Sequence, residues 1–225
     1  MNPVKANKIL RLLEKTYPNA KIILNYSNHL ELLISIVLSA QTTDIQVNRV
    51  TSFIFPKYRK VNPKFTKEYD KYKGLNIDKN ILIEMVNFSR VDINELQYDI
   101  KSIGLYKNKA KNIKSLSLKM LDEFGGIFPN TIEKLTSLPG VGRKTANVFL
   151  GNAYGISEGI AVDTHVKRLS LKYGFSKNIS PEKIEKDLMS LFDKKDWFKL
   201  TYLLIEHGRK ISKTKSDFIL EKNLI

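Results

Sequence analysis

A chain of 225 residues can bury one large core or two smaller ones, and 38 Lys and Arg against 23 Asp and Glu leave it at +15. That surplus points to a polyanionic partner, nucleic acid first, because there is neither a lipidation signal nor a transmembrane run; a lysine-rich composition without function would look the same. No cysteine occurs, which excludes disulfides, thiolate nucleophiles and Cys-ligated zinc or iron–sulfur centres.

Asn2 and Pro3 read as a cap and first helical position for a helix carrying Ile9, Leu10 and Leu13 up to Tyr17-Pro18. A second helix starts near Asn28 and is apolar on nearly every side through Leu38, so it belongs in the middle of a bundle. The polar corner at 39–44 breaks it. Thr43 with Gln46 then offers a capping box for a third helix, which Pro56 is expected to stop. Gln41, in that corner, is either a probe that enters a groove or a solvated loop residue.

Residues 57–80 interleave Lys and Arg with Tyr58, Phe65, Tyr69 and Tyr72. The pattern fits a surface that holds phosphates and stacks bases, and equally a mobile basic loop. A short helix is expected over 81–88, one capped by Asp92 up to 102–106, and a longer one ending before Gly125-Gly126. Beyond 155–159 a helix stops at Gly174, Ser180-Pro181-Glu182 starts another, and a last one runs from Asp196 to Ile211. No stretch alternates with period two, so the fold is expected to be all-α. His29, His165 and His207 show no metal-ligand spacing, and Met1-Asn2-Pro3-Val4 lacks a signal-peptide core. A soluble, cytoplasmic, nucleoid-associated protein is expected.

The stretch Leu138-Pro139-Gly140-Val141-Gly142-Arg143-Lys144-Thr145-Ala146 stands apart. Two glycines two positions apart, entered through a proline and followed by a basic pair, describe a tight hairpin between helices at 131–138 and 143–154. Glycine brings backbone close to a ligand, and the first N–H groups of a helix lack intrahelical partners, which makes an anion site. An ordinary αα-turn would use glycine too. Lys144 begins the second helix, and Asp163 stands at the mouth of the next. Partial desolvation and the Arg143 charge would disfavour the ammonium form of Lys144 and make it a nucleophile; Asp163 would accept a proton or face a sugar cation. The alternative is a phosphate contact and a plain N-cap.

With Ala161-Val162-Asp163-Thr164-His165-Val166, Glu31-Leu32-Leu33-Ile34, 38–44, Ile103-Gly104-Leu105-Tyr106 and His207-Gly208-Arg209, the hairpin resembles the endonuclease III family of helix-hairpin-helix DNA glycosylases in order along most of the chain. The resemblance implies base excision repair: a bifunctional glycosylase and apurinic/apyrimidinic lyase removing oxidised pyrimidines such as thymine glycol. It implies Lys144 attacking C1′ and forming a Schiff base, and Asp163 activating that lysine. Gly140, Val141, Gly142 and Arg143 would hold the DNA backbone, and Gln41 and Leu105 would enter the duplex to replace the flipped nucleotide. It also implies two helical lobes, 1–22 with 156–225 and 23–155, with a DNA-binding cleft between them.

Most relatives carry a four-cysteine iron–sulfur cluster just after His-Gly-Arg; here Ser212 takes the first ligand position and the chain ends at Ile225, before the usual fourth. A cluster-free monomer without cofactor or metal is expected, its second lobe held by Trp197, Phe198, Phe218 and Leu220. The rival readings are a non-catalytic DNA-binding scaffold and a glycosylase specific for uracil, a mismatch or oxidised guanine.

Overall fold

The computed structural model describes residues 1–214, which form twelve α-helices, one 3-10 turn and no strand. The chain divides into two compact units, one made of residues 23–154 and one of residues 1–22 with those from 155 onward. Among the described residues no helix is long and apolar enough to cross a membrane. Phe218 and Leu220 lie outside the described residues.

The 23–154 unit is built around α2 (His29–Ser39), in which every residue from Leu30 to Leu38 is buried. Asn28 caps it, its side chain accepting from Glu31 N. Packed against α2 are α3 (Asp44–Tyr58), α5 (Lys79–Arg90), α7 (Tyr106–Asp122) and α9 (Arg143–Tyr154). Thr43 caps α3 as its sequence predicts, accepting from Gln46 N at 3.3 Å.

Pro56 does not stop α3, which continues to Tyr58. A proline in the last turn removes one ladder hydrogen bond, and tertiary anchors offset it. The Tyr58 ring stacks on Phe88 with centroids 4.3 Å apart, and its hydroxyl donates to Asp99 at 2.8 Å.

The basic segment after Tyr58 is an ordered part of the unit. A 3-10 turn (Pro63–Phe65) leads into α4 (Thr66–Tyr72). Tyr69 donates to Asn87 at 2.7 Å, and Asn87 donates to the carbonyls of Tyr58 and Lys60 at 2.6 and 2.8 Å. Tyr72 donates to Asp122 at 2.6 Å. Tyr58 and Tyr72 are therefore buried supports, unavailable to bases. Arg59 reaches inward to two fully buried carboxylates, with Nε 2.8 Å from Glu84 and a terminal nitrogen on Glu31. Burial, reinforced by the nearby Glu31, pushes the Glu84 carboxyl up to about 7.

In the other unit α1 (Pro3–Thr16), α10 (Thr164–Tyr173), α11 (Pro181–Leu191) and α12 (Lys194–Thr214) share a core containing Leu10, Leu13, Leu169, Leu188, Leu200 and Leu204. Removing one such leucine side chain to Ala costs about 2–5 kcal/mol. Trp197 packs against this core and donates to Phe192 O at 2.8 Å, and Phe198 meets the Tyr202 ring edge-on. The fully buried His207 bridges two phenols, Tyr17 at 2.9 Å from Nδ1 and Tyr173 at 2.5 Å from Nε2.

Candidate functional site

The predicted hairpin joins α8 (Ile132–Thr136) to α9. Thr131 caps α8, accepting from Lys134 N at 3.4 Å. Its two glycines serve different ends. Gly140 has φ +78°, and a Cβ there would lie 2.7–2.9 Å from the Asn112 side chain, so both conformation and packing demand glycine. Gly142 lies outside the left-handed region, and a Cβ there would meet nothing within 4 Å. Among the described residues nothing requires a glycine at 142.

Val141 acts inward. Its side chain is buried and its N–H donates to Leu138 O at 3.1 Å, pinning the turn. Ala146 N makes the first bond of the α9 ladder, to Gly142 O at 2.9 Å, so the first turn of α9 presents its N–H groups ahead of that ladder. Arg143 and Lys144 are exposed on this turn. Lys144 makes no side-chain hydrogen bond or ion pair among the described residues, so the desolvation expected from sequence is absent from the free chain. Phe149, from one turn further along α9, joins His29, Phe128 and Tyr154 in an aromatic cluster, with Tyr154 donating to Phe128 O at 2.9 Å. The helix is thus anchored by its buried part while its N-terminus stays open.

Asp163 belongs to the other unit and is the N-cap of α10, where Oδ1 accepts from Val166 N at 2.8 Å. Its second carboxylate oxygen makes no hydrogen bond among the described residues. The first turn of α10 is seated on α12: a Cβ at Gly208 would lie 2.7 Å from His165 Nδ1 and 2.9 Å from its Cβ.

Gln41 and Leu105 are exposed, and among the described residues they are the only non-glycine positions with positive φ, +55° and +58°. Such strain persists only where surrounding structure enforces it. The structure brings their loops together, Gly104 N donating to Thr42 Oγ1 at 3.1 Å and Gln46 to Ser102 at 2.8 Å. Sequence reasoning passed over Lys109 and Asn112, which support these loops and the hairpin. Lys109 left one signal, its place on the apolar stripe of α7 with Ile113, Leu116 and Met120.

No three His, Asp or Glu side chains among the described residues are grouped to hold a metal. At the place of the first cluster ligand, Ser212 Oγ donates to Gly208 O at 2.7 Å and accepts from Arg168 at 3.0 Å. An alcohol engaged in this way, in a chain without cysteine, does not fit an iron–sulfur cluster.

The described residues thus form an all-helical protein with an open glycine hairpin at a helix N-terminus and an exposed lysine beside it. The model of the HhH-GPD superfamily of base excision DNA repair proteins matches residues 34–194. Endonuclease III of Synechocystis sp. is 41% identical over 92% of this chain and 84% of its own length. That of Bacillus subtilis is 41% identical over 93% and 84%. A solved structure of a trapped covalent intermediate of endonuclease III with DNA, an estranged-adenine complex, is 37% identical and covers 96% of this chain and 90% of that one, with a TM-score of 0.81. The chain belongs to the endonuclease III family of base-excision-repair enzymes, DNA glycosylases that also cleave apurinic/apyrimidinic sites.

Proposed function

We propose that the protein excises oxidised pyrimidines of the thymine glycol type from duplex DNA and then cuts the strand by β-elimination, acting as a cluster-free monomer on the DNA of the cytoplasm. The observation that carries the reading is Gly142, whose missing side chain has no internal reason, beside the exposed and unengaged Lys144. Gly140, Val141, Gly142 and Arg143 grip a phosphate of the damaged strand, with Val141 as the apolar pin of the turn. Gln41 and Leu105 fill the gap left by the flipped nucleotide and offset the few kcal/mol that unstacking costs.

In this scheme the Lys144 amine attacks C1′ of the flipped nucleotide, and the base leaves with the electrons of the glycosidic bond. Asp163, as the carboxylate, stabilises positive charge on the sugar while the base departs and then takes the proton released by the amine. The ring then opens: the C1′–O4′ bond breaks, O4′ takes the proton held by Asp163, and a C1′–nitrogen double bond forms; it acidifies C2′, and loss of that proton expels the 3′ phosphate. Engagement of DNA supplies the water exclusion that the free chain lacks at Lys144.

Borohydride trapping tests the reading on duplexes carrying thymine glycol, an abasic site or no damage. A covalent adduct on thymine glycol is expected in the wild type and none in Lys144→Ala, which keeps most of its DNA affinity. An adduct on the abasic duplex alone would move the substrate to another damaged base. No adduct on either duplex with DNA binding intact would leave a non-catalytic scaffold.

A further inference from the structure

The strained residues Gln41 and Leu105 lie in two loops far apart in sequence, yet they share one support. Lys109, 4% exposed, extends its ammonium to Leu38 O at 2.8 Å, to Ala40 O, and to Thr42 Oγ1 at 3.2 Å. An ammonium has three donors, and here each meets one acceptor. Two of those acceptors, in the last turn and at the C-cap of α2, belong to the helix end where carbonyls lack a helical partner and the dipole is negative. The third, Thr42 Oγ1, also accepts from Gly104 N at 3.1 Å, so one hydroxyl joins the lysine to the residue before Leu105. Gly104 closes the contact from the other side: a Cβ there would stand 2.9 Å from Gln41 O and 3.4 Å from Thr42 Oγ1.

We propose that Lys109, Thr42 and Gly104 form a positioning clasp that holds Gln41 and Leu105 in their left-handed conformations and fixes the spacing between them before DNA arrives. The proposal rests on the reading of Gln41 and Leu105 as the duplex-inserting residues. Held singly, each residue would relax to negative φ, where an L-residue escapes the clash of its Cβ with the backbone carbonyl. The clasp opposes that relaxation on both loops through one buried charge. Removing the ammonium leaves the carbonyls of Leu38 and Ala40 without that donor and leaves Thr42 Oγ1 held by Gly104 N alone. Burial holds the pKa of Lys109 below the usual lysine range, which records the cost of placing the charge there. None of the three clasp residues touches the reacting sugar in this scheme; they act through the two they hold.

The test compares two substrates. Thymine glycol in a fully paired duplex requires insertion and flipping, whereas an abasic site in a single strand requires only Schiff-base chemistry. Lys109→Met and Gly104→Ala are each expected to slow single-turnover excision from the duplex about 10- to 100-fold while leaving borohydride trapping on the single strand within about twofold. Gln41→Ala and Leu105→Ala are expected to show the same split. If the two insertion variants show it and the two clasp variants excise from duplex at the wild-type rate, the clasp is overturned. If the insertion variants themselves excise normally, the insertion reading has failed, whatever Lys109 does. Equal losses on both substrates in Lys109→Met with Gly104→Ala unaffected would reduce the lysine to a stabilising group and overturn the proposal. Should Lys109→Met not fold, Gly104→Ala decides by the same two measurements, because its site is exposed.

Discussion

The two hairpin glycines offer a paired perturbation in which one alanine should damage the fold and the other the interface. Gly140→Ala forces a Cβ onto a residue with φ +78° and places it within 2.9 Å of Asn112 on α7. The left-handed conformation costs about 1–2 kcal/mol for an L-residue. Overpacking adds about 1–3 kcal/mol, because the Asn112 Cβ is fixed by its helix and no rotamer relieves it. A loss of about 2–5 kcal/mol should lower the urea midpoint of the 23–154 unit by about 1 M or more. Gly142→Ala meets no atom and no forbidden φ. It should leave stability unchanged or raise it by about 0.4–1 kcal/mol through the unfolded state. A methyl group at 142 would instead stand where a phosphate oxygen approaches the backbone, forfeiting a charge-assisted hydrogen bond of about 1.5–3 kcal/mol. Affinity for a duplex with a stable abasic analogue, followed by fluorescence anisotropy at fixed salt, should fall about 10- to 100-fold. Wild-type affinity in Gly142→Ala would refute the phosphate role of the hairpin, and wild-type stability in Gly140→Ala would refute the packing argument.

Three further substitutions probe the neighbouring machinery. Asp163→Asn retains a good N-cap, so α10 should keep its stability within about 0.5 kcal/mol, while excision falls about 10²- to 10⁴-fold; near-normal turnover in a single-turnover assay would end the proposed role. Gly208→Ala should destabilise its unit by about 1–3 kcal/mol in urea, since the His165 Cβ cannot move without α10, and an unchanged midpoint would refute that seating. Glu84 is raised to about 7 from an ordinary 4.5, so the folded chain keeps a proton that the unfolded chain releases. Its contribution is fully present below about pH 4.5 and is lost as pH rises through about 7. Glu84→Gln should remove a decline of order 1–3 kcal/mol between pH 5 and 8; an undiminished decline would place its origin in another group.

Local chemistry was readable in the chain. Asn2, Asn28, Thr43 and Asp92 each cap the helix that the sequence assigns to them, because a cap is settled within four residues. The hairpin was equally legible, its glycine spacing being a local statement about backbone. What escaped depended on distant partners. Pro56 reads as a stop until Asp99 and Phe88 are known to hold Tyr58. The tyrosines at 69 and 72 look like base-stacking residues until Asn87 and Asp122 receive their hydroxyls. Lys109 was invisible for the same reason: its acceptors lie about seventy positions upstream, and a lysine is ordinarily placed in water.

The Arg168–Ser212–Gly208 contacts have a consequence for how the protein comes into being. Where a cluster closes a domain, the free energy of metal binding is part of the free energy of folding, so the folded population rises and falls with metal supply. Here α12 is joined to α10 by a guanidinium, an alcohol and a carbonyl, none of which oxidises under cellular conditions. The chain carries no thiolate for peroxide to attack. These contacts need neither a metal nor a thiolate to form.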